Sequence, residues 1–323
     1  MPQMLSSLLC GLVAVLTAIP VSAQNHYPDK PISIIVPFAP GGATDVTARM
    51  LAEQISQDTG YQLIVENKGG AGGGIAASQV ARAAPDGYTV LFGTSNTNGI
   101  NSFIYKLNYD PVKSFEPVGL VAENVVVLLA NASFPADTLE QAIALIKKSP
   151  DEYSYASPGL GTVHNLSMEL LKKAEGLDLM HVPYKGAGPA MIDLVAGTVP
   201  LMIGGIAPAK SFIASGKVKV LAVANERKFE GLPADAQYFS DVVPQAAVSS
   251  WMGLFMPAGT PPDRVETLSK ALQKALQSPK LQETLQVQGM QAEYMGPKAF
   301  SDKVGSDMDF WKQAVETTGL ESH

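Results

Sequence analysis

The chain has one cysteine among its 323 residues, Cys10, and it sits inside an apolar leader. Beyond that leader no thiol remains, which excludes disulfides and thiolate metal sites and leaves core burial as the source of stability. Histidine is scarce too. Only His26, His164, His181 and His323 occur, and no H-E-x-x-H, G-x-S-x-G or paired Cys–His pattern accompanies them. No catalytic or metal-ligating residue is therefore assigned, and no cofactor is expected. Basic stripes are missing as well. The formal net charge is −7, and Lys217 and Lys219 alternate along a strand-like segment as a solvated face does. Nucleic acid is not an expected partner.

Residues 1 to 28 contain no Asp, Glu, Lys or Arg. What they do contain, from Met4 to Ala23, is a run rich in Leu, Val and Ala that closes on Val21-Ser22-Ala23. This reads as a secretory signal peptide cleaved near Ala23, before Gln24, which places the protein in the periplasm. An uncleaved anchor is the alternative, because no Lys or Arg precedes the run, although Pro20 interrupts its helix. Leu9 is not the small residue that lipid attachment at Cys10 would need.

The remaining roughly 300 residues are long enough for two domains of ordinary size. Hydrophobic residues make up 46% of the chain. Apolar runs of strand length fall at 32–36, 62–66, 89–93, 118–130, 154–156, 179–183, 201–204, 218–224 and 251–256. Stretches with apolar spacing near 3.6 fall at 43–59, 73–83, 139–148, 163–175, 187–196, 262–277 and 298–318. The alternation predicts α/β layers with largely parallel sheets.

Two segments repeat one device, a long apolar strand, a Pro-bearing turn and a capped helix. They are 124–139, with Phe134-Pro135-Ala136-Asp137-Thr138, and 251–265, with Pro261-Pro262-Asp263. If the chain crosses between lobes at the first and returns at the second, a clamp with a paired hinge results. The expected division is 1–23 signal peptide, 24–124 and 249–323 as the two parts of domain 1, and 125–248 as domain 2. The alternative is two plain core strands. In a clamp, ligand sits between the lobes, where helix N-termini meet outside the strand ends.

Two loops suit that position. In Pro37-Phe38-Ala39-Pro40-Gly41-Gly42-Ala43-Thr44-Asp45 a strand ends at proline and a Gly-Gly turn opens a helix. Its free amides and helix dipole favour an anion, and Thr44 adds a hydroxyl donor; an ordinary strand-to-helix connection is the competing reading. In Ser157-Pro158-Gly159-Leu160-Gly161-Thr162-Val163-His164 the same arrangement recurs. Ser157 or Thr162 can cap the helix, Gly159 and Gly161 admit close approach to an oxyanion, and His164 either donates to a carboxylate or packs. The third glycine of a dinucleotide fingerprint is absent.

These blocks, with Tyr27-Pro28-Asp29-Lys30-Pro31, Val65-Glu66-Asn67-Lys68-Gly69-Gly70, Ala84-Pro85-Asp86-Gly87-Tyr88, His181-Val182-Pro183-Tyr184-Lys185-Gly186 and Pro257-Ala258-Gly259-Thr260-Pro261, resemble the substrate-binding proteins of tripartite tricarboxylate transporters, the Bug family. The match spans nearly all of the chain after the leader. It implies the two-lobed periplasmic-binding-protein fold of type II, each lobe a sheet flanked by helices. It also implies a monomer that delivers a small carboxylate to membrane permease subunits. By that resemblance Gly41, Gly42, Ala43 and Thr44 pair with Ser157, Gly159, Gly161 and Thr162 as a pincer, with His164 at a family-typical position. Water-mediated bonds assist, in keeping with the absence of Arg from both loops.

Loops at the same strand ends should read the rest of the ligand: Thr94, Ser95 and Asn96, then Tyr184, then Gly204. Phe38 and Trp251 either sandwich an apolar ligand body or belong to the core. Asp45 either bonds the early helix or binds a cationic substituent. Lys185 either neutralises a second carboxylate across the cleft or belongs to a structural turn and points to solvent. The run Gly69-Gly70-Ala71-Gly72-Gly73-Gly74 lacks the ending of a phosphate loop and reads as a tight passage. A ligand sensor that docks on a receptor kinase is the second functional reading. A secreted hydrolase using Ser157 and His164 is the third, and it lacks an orienting third group.

Overall fold

The computed structural model describes residues 27–149, 152–229, 232 and 235–320, so the expected signal peptide lies outside the described residues. The strands in chain order are β1 (Ile32–Val36), β2 (Leu63–Asn67), β3 (Thr89–Thr94), β4 (Phe115–Asn124), β5 (Val126–Asn131) and β6 (Ser154–Ser157). They continue with β7 (Met180–Pro183), β8 (Leu201–Gly205), β9 (Val218–Val223), β10 (Trp251–Pro257) and β11 (Met290–Met295). The helices are α1 (Ala43–Thr59), α2 (Gly74–Ala81), α3 (Asn101–Ile104), α4 (Leu139–Lys148), α5 (Val163–Glu175) and α6 (Ala187–Ala196). Then come α7 (Lys210–Ala214), α8 (Phe239–Val242), α9 (Pro262–Leu276), α10 (Pro279–Val287) and α11 (Pro297–Thr318).

Two sheets result, ordered β11-β4-β10-β3-β1-β2 and β7-β6-β8-β5-β9. Each is mixed where the sequence predicts largely parallel strands. In the first, β1, β2 and β3 are parallel while β10 runs against β3 and β4. In the second, β6, β7 and β8 are parallel while β5 runs against β8 and β9. The reason is the crossing. β5 and β10 each enter a sheet from the junction between lobes, whereas the neighbouring strands run toward that junction and end there.

The apolar run over 118–130 is two strands in different sheets, not one. They part at Val125, whose N–H donates to Gly289 O (2.9 Å) and whose carbonyl accepts from Ile206 N (3.0 Å). Asn225 holds the break from the other side. Its Oδ1 accepts from Val126 N at 2.8 Å and its Nδ2 donates to Asn124 O at 3.0 Å. A side-chain amide thus replaces the ladder partners that the chain loses by changing sheets.

Alternating strand residues face helices on both sides of each sheet. In the first sheet Ile32, Ile34 and Val36 pack on Leu51 and Ile55 of α1 and Leu268 and Leu272 of α9. The opposite face holds Leu91, Trp251, Phe255 and Phe300. Trp251 is 1% exposed, its ring packs edge-on against Phe300, and its Nε1 donates to Asp307 Oδ2 at 2.6 Å, so it belongs to the core. Burying each such side chain stabilises by about 1.5–3 kcal/mol. The far end of α11 leaves the first lobe: Trp311, Ala314 and Val315 pack with Leu166 and Leu170 of α5.

Five elements escaped the sequence reading: the short helices α3, α7 and α8, then α10 and β11. β11 is a half-buried edge strand without clean alternation, and α10 begins at Ser278-Pro279, where the Ser278 hydroxyl accepts from Leu281 N. Gly204, expected in a loop, lies inside β8 opposite Val127.

Candidate functional site

The loops that end β1, β2 and β3 converge. Asn67 Nδ2 donates to Phe38 O at 3.0 Å, which ties the half-buried Phe38 turn to the end of β2. A Cβ on Gly73 would lie 2.6 Å from Thr97 Cγ2 and 2.9 Å from Pro37 Cβ, so glycine there lets three loops touch. Gly72 O accepts from Asn101 Nδ2 at 2.8 Å. The glycine run is thus a tight passage, as its sequence predicts.

In the first loop Gly41 is left-handed (φ +83°), and its N–H donates to Asp45 Oδ2 at 2.8 Å. Asp45 also accepts from Arg49 Nε and Asn67 Nδ2, each at 2.9 Å. Burial pushes its carboxyl pKa up, but those bonds outweigh it and the net shift is down. Asp45 therefore serves the loop and the early helix. Gly42 is the N-cap of α1 in an extended conformation and supplies no side-chain cap. The amides of Ala43, Thr44 and Asp45 consequently lack acceptors within the helix. Gly41, Gly42 and Ala43 are exposed, and among the described residues the nearly buried Thr44 hydroxyl (8% exposed) has no hydrogen-bond partner.

The second loop copies this device with a neutral residue. Gly161 is left-handed (φ +69°) and donates to Asn165 Oδ1 at 3.0 Å, four residues on, as Gly41 does to Asp45. Here the cap is present. Thr162 Oγ1 accepts from Asn165 N at 3.3 Å and donates to Gly159 O at 2.8 Å, leaving the amides of Val163 and His164 open at the start of α5. Ser157 is fully buried, with its Oγ 2.7 Å from His181 Nε2 and 3.1 Å from Gly159 O. It pairs with His181, not with His164.

His164 is the unusual residue. Both ring nitrogens are shielded from solvent and neither has a partner among the described residues, and burial lowers its pKa to about 4. The ring is a neutral donor and acceptor with nothing to bond.

The two loops meet. Asn96 Nδ2 donates to Gly161 O at 3.1 Å across the lobes, and a Cβ on Gly161 would lie 3.0 Å from Ile104 Cδ1. Of the other predicted residues, Thr94 bonds Thr97 through its amide and hydroxyl. The Tyr184 hydroxyl donates to Asp193 Oδ2 at 2.6 Å, and its pKa is pushed up to about 12 by burial and that carboxylate. Ser95 is 2% exposed, and its hydroxyl, like that of Thr44, has no partner among the described residues. Lys185 is exposed. Asn165, His181 and Asn67 were missed as site residues. The repeated spacing of a loop glycine and an Asp or Asn four residues later was the signal that would have found the first.

Among the described residues no group of His, Cys, Asp or Glu could hold a metal ion, and no helix is long and apolar enough to cross a membrane. The arrangement offers amides, hydroxyls and a neutral imidazole, with no cation in either loop.

A family model described as the tripartite tricarboxylate transporter family receptor matches residues 47–320. The chain belongs to that family. This receptor is 33% identical over 305 residues to protein BugT of Bordetella pertussis, covering 94% of this chain and 93% of that one. Its fold is that of the periplasmic binding protein BugD (TM-score 0.78, 37% identity, 92% of this chain and all of that one). Two similar structures carry ligands. An R. palustris protein solved with adipate has TM-score 0.82 and 30% identity, covering 92% of this chain and 100% of that one. MatC from Rhodopseudomonas palustris, with bound malate, has TM-score 0.76 and 33% identity, covering 90% and 100%. The family is one of solute-binding receptors.

Proposed function

We propose that this receptor captures a small dicarboxylate between its lobes in the periplasm and delivers it to the permease subunits of a tripartite transporter. Residues 24–124 and 249–323 form one lobe and 125–248 the other, the signal peptide is removed near Ala23, and the protein acts as a monomer. One carboxylate takes the uncapped amides of Ala43 and Thr44 with the Thr44 hydroxyl. The opposing Val163 and His164 amides, the His164 ring and the Ser95 hydroxyl bind the rest. Phe38, Gly41, Gly42, Asp45, Asn96, Ser157, Gly159, Gly161 and Thr162 shape the two loops. Thr94, Tyr184 and Gly204 support the neighbouring strand ends. Ligand favours the closed arrangement by binding it better than the open one.

The observation that carries this reading is the open N-terminus of α1, exposed over Gly41–Ala43, together with a Thr44 hydroxyl and, at the start of α5, a His164 ring that have no hydrogen-bond partner among the described residues. Helix N-termini favour anions through free amides and the dipole. Adipate and malate in two relatives support the dicarboxylate class. Neither a metal nor a cofactor is needed.

A thermal-shift screen against mono-, di- and tricarboxylates, including malate and adipate, tests it. A ligand at a hundred times its dissociation constant adds about 2.7 kcal/mol, several degrees in a chain of this length. The expected result is a raised midpoint with dicarboxylates. No shift with any carboxylate overturns the proposal.

A further inference from the structure

A backbone amide can only donate, and one such amide orients a whole chain of side chains in the second loop. Gly161 N donates to Asn165 Oδ1, so the other end of that amide is its NH2 group. This Nδ2 lies 2.8 Å from the Tyr155 hydroxyl and 3.4 Å from His181 Nδ1. Tyr155 donates its own hydrogen to Glu169 Oε1 at 2.5 Å, so it accepts from Asn165. His181 Nδ1, facing a donor, is the nitrogen without a proton. The ring hydrogen is then on Nε2 and is donated to Ser157 Oγ at 2.7 Å. Ser157 accepts from Gly159 N (3.2 Å) and passes its hydrogen to Gly159 O (3.1 Å). In this tautomer His181 cannot take the proton of Ser157, so the pair is not a nucleophile and its base.

We infer that His181 is a positioning residue for the second ligand loop: its neutral Nε2–H form holds the Ser157–Gly159 turn and the Asn165–Gly161 bond together, and protonating the ring releases Gly161. The imidazolium carries a hydrogen on both nitrogens. Its Nδ1–H then meets the NH2 of Asn165, and two donors repel. Turning the Asn165 amide over restores that contact but points the NH2 group at Gly161 N–H. The amide of Gly161 loses its acceptor. Gly161 is also the residue whose carbonyl accepts from Asn96 of the other lobe, so the disturbance reaches the contact between the lobes.

The surroundings set the direction of the response. Burial disfavours the imidazolium and holds the pKa of His181 below its ordinary 6.5. From α5, Glu169 favours the charged form and Lys172 opposes it. From β6, Ser157 bonds the ring and Tyr155 stacks on it, with centroids 4.7 Å apart. The loop is therefore intact at neutral pH and is released as pH falls below 6.5 through the depressed value.

This inference rests on reading the 157–165 segment as half of the binding site, and its test reads the loop itself without ligand. Nitrogen-15 spectra of the histidine rings give the tautomer, and exchange of the Gly161 amide proton reports the Asn165 bond. Spectra of His164→Leu, His26→Gln and His323→Gln assign the other three titrating rings. The expected results are an Nε2–H tautomer for His181 and a Gly161 amide protected at pH 7.5. That protection, corrected for the intrinsic rate, should fall at least tenfold as the ring protonates. In His181→Gln, whose amide N–H can still reach Ser157, protection should stay flat down to pH 5. An Nδ1–H tautomer, or Gly161 protection that ignores the titration of His181, overturns the inference. Either result stands apart from the carboxylate screen.

Discussion

Asn96 reaches out of the first lobe and donates from Nδ2 to the carbonyl of Gly161 in the second, at 3.1 Å. The bond joins the segment after β3 of the first lobe to the second ligand loop, so it exists only while the lobes approach. Asn96→Ala should widen the ligand-free protein, seen as a larger radius of gyration by X-ray scattering. It should weaken carboxylate binding about fivefold, the worth of one hydrogen bond of about 1 kcal/mol. An unchanged radius and affinity would mean that the bond contributes nothing to closure.

Gly42 offers a cleaner probe of the first loop than Gly161. It has an ordinary extended conformation, and a Cβ there would meet only Ala39 O at 3.7 Å, whereas Gly161 is left-handed with Ile104 at 3.0 Å. Gly42→Asp places a tethered carboxylate at the N-cap, over the amides assigned to the ligand. Stability should rise by a few tenths of a kcal/mol, roughly the difference between Asp and Gly at an N-cap. Affinity should fall more than about tenfold, since the new charge also repels the ligand carboxylate. Calorimetry of melting and of binding reads the two effects separately.

His164 should make the fold acid-sensitive. Burial lowers its pKa from 6.5 to about 4, so the folded state binds fewer protons than the unfolded one between those values. The stability associated with the neutral ring is present above about 6.5 and is lost as pH falls toward about 4, a change of about 3 kcal/mol in all. Urea melts of His164→Leu should therefore gain on the wild type as pH drops, by about 2 kcal/mol near pH 4.5. A constant gap from pH 7.5 to 4.5 would show that the ring is not buried in solution.

Near the break between β4 and β5, Arg227 bridges two carboxylates of the first sheet, on β4 and β11. Its Nε donates to Glu123 Oε2 and its Nη2 lies by Glu293 Oε2, both at 2.6 Å, and Glu123 also accepts from Ser249 Oγ at 2.9 Å. Glu123 is 4% exposed, and burial holds the pKa of Glu293 up. Arg227→Met leaves both carboxylates with too little positive charge and should cost about 3 kcal/mol at pH 8. Removing the cation raises the folded pKa of Glu293 further, so that part of the penalty is present above the raised value and relieved as pH falls through it. Denaturation at pH 8 and pH 5 should show the loss shrinking.

Much of this molecule was legible in one dimension. Strands such as Ile32–Val36 follow from short continuous apolar runs, because both faces of the sheet are covered, and helices such as Ala43–Thr59 from apolar spacing near 3.6, because one face is buried. The loops followed from proline and glycine next to helix starts. What stayed hidden depends on groups brought from afar. Val125 carries no mark that its strand changes sheets there, since the break is stabilised by Asn225, 100 residues away. Edge strand β11 has too little buried surface to show a pattern. His181 read as part of a motif without a role, because its partners Ser157 and Asn165 are joined to it only through strand pairing and helix placement.

The sequence by itself determined the export signal as an expectation, the absence of thiol chemistry, the two-sheet α/β class and the pair of amide-bearing loops, because composition, period and turn chemistry are local. Only the tertiary structure decided which polar groups in those loops remain unspent. Thr44 and Thr162 are both hydroxyl residues at helix starts, yet among the described residues the first has no partner and the second is consumed by Gly159 and Asn165. His164 and His181 are both helix- or strand-borne rings, yet one is unpartnered and the other bonded on both nitrogens. A hydrogen-bond donor has a fixed number of hydrogens, and whether a neighbour takes them is a fact of packing.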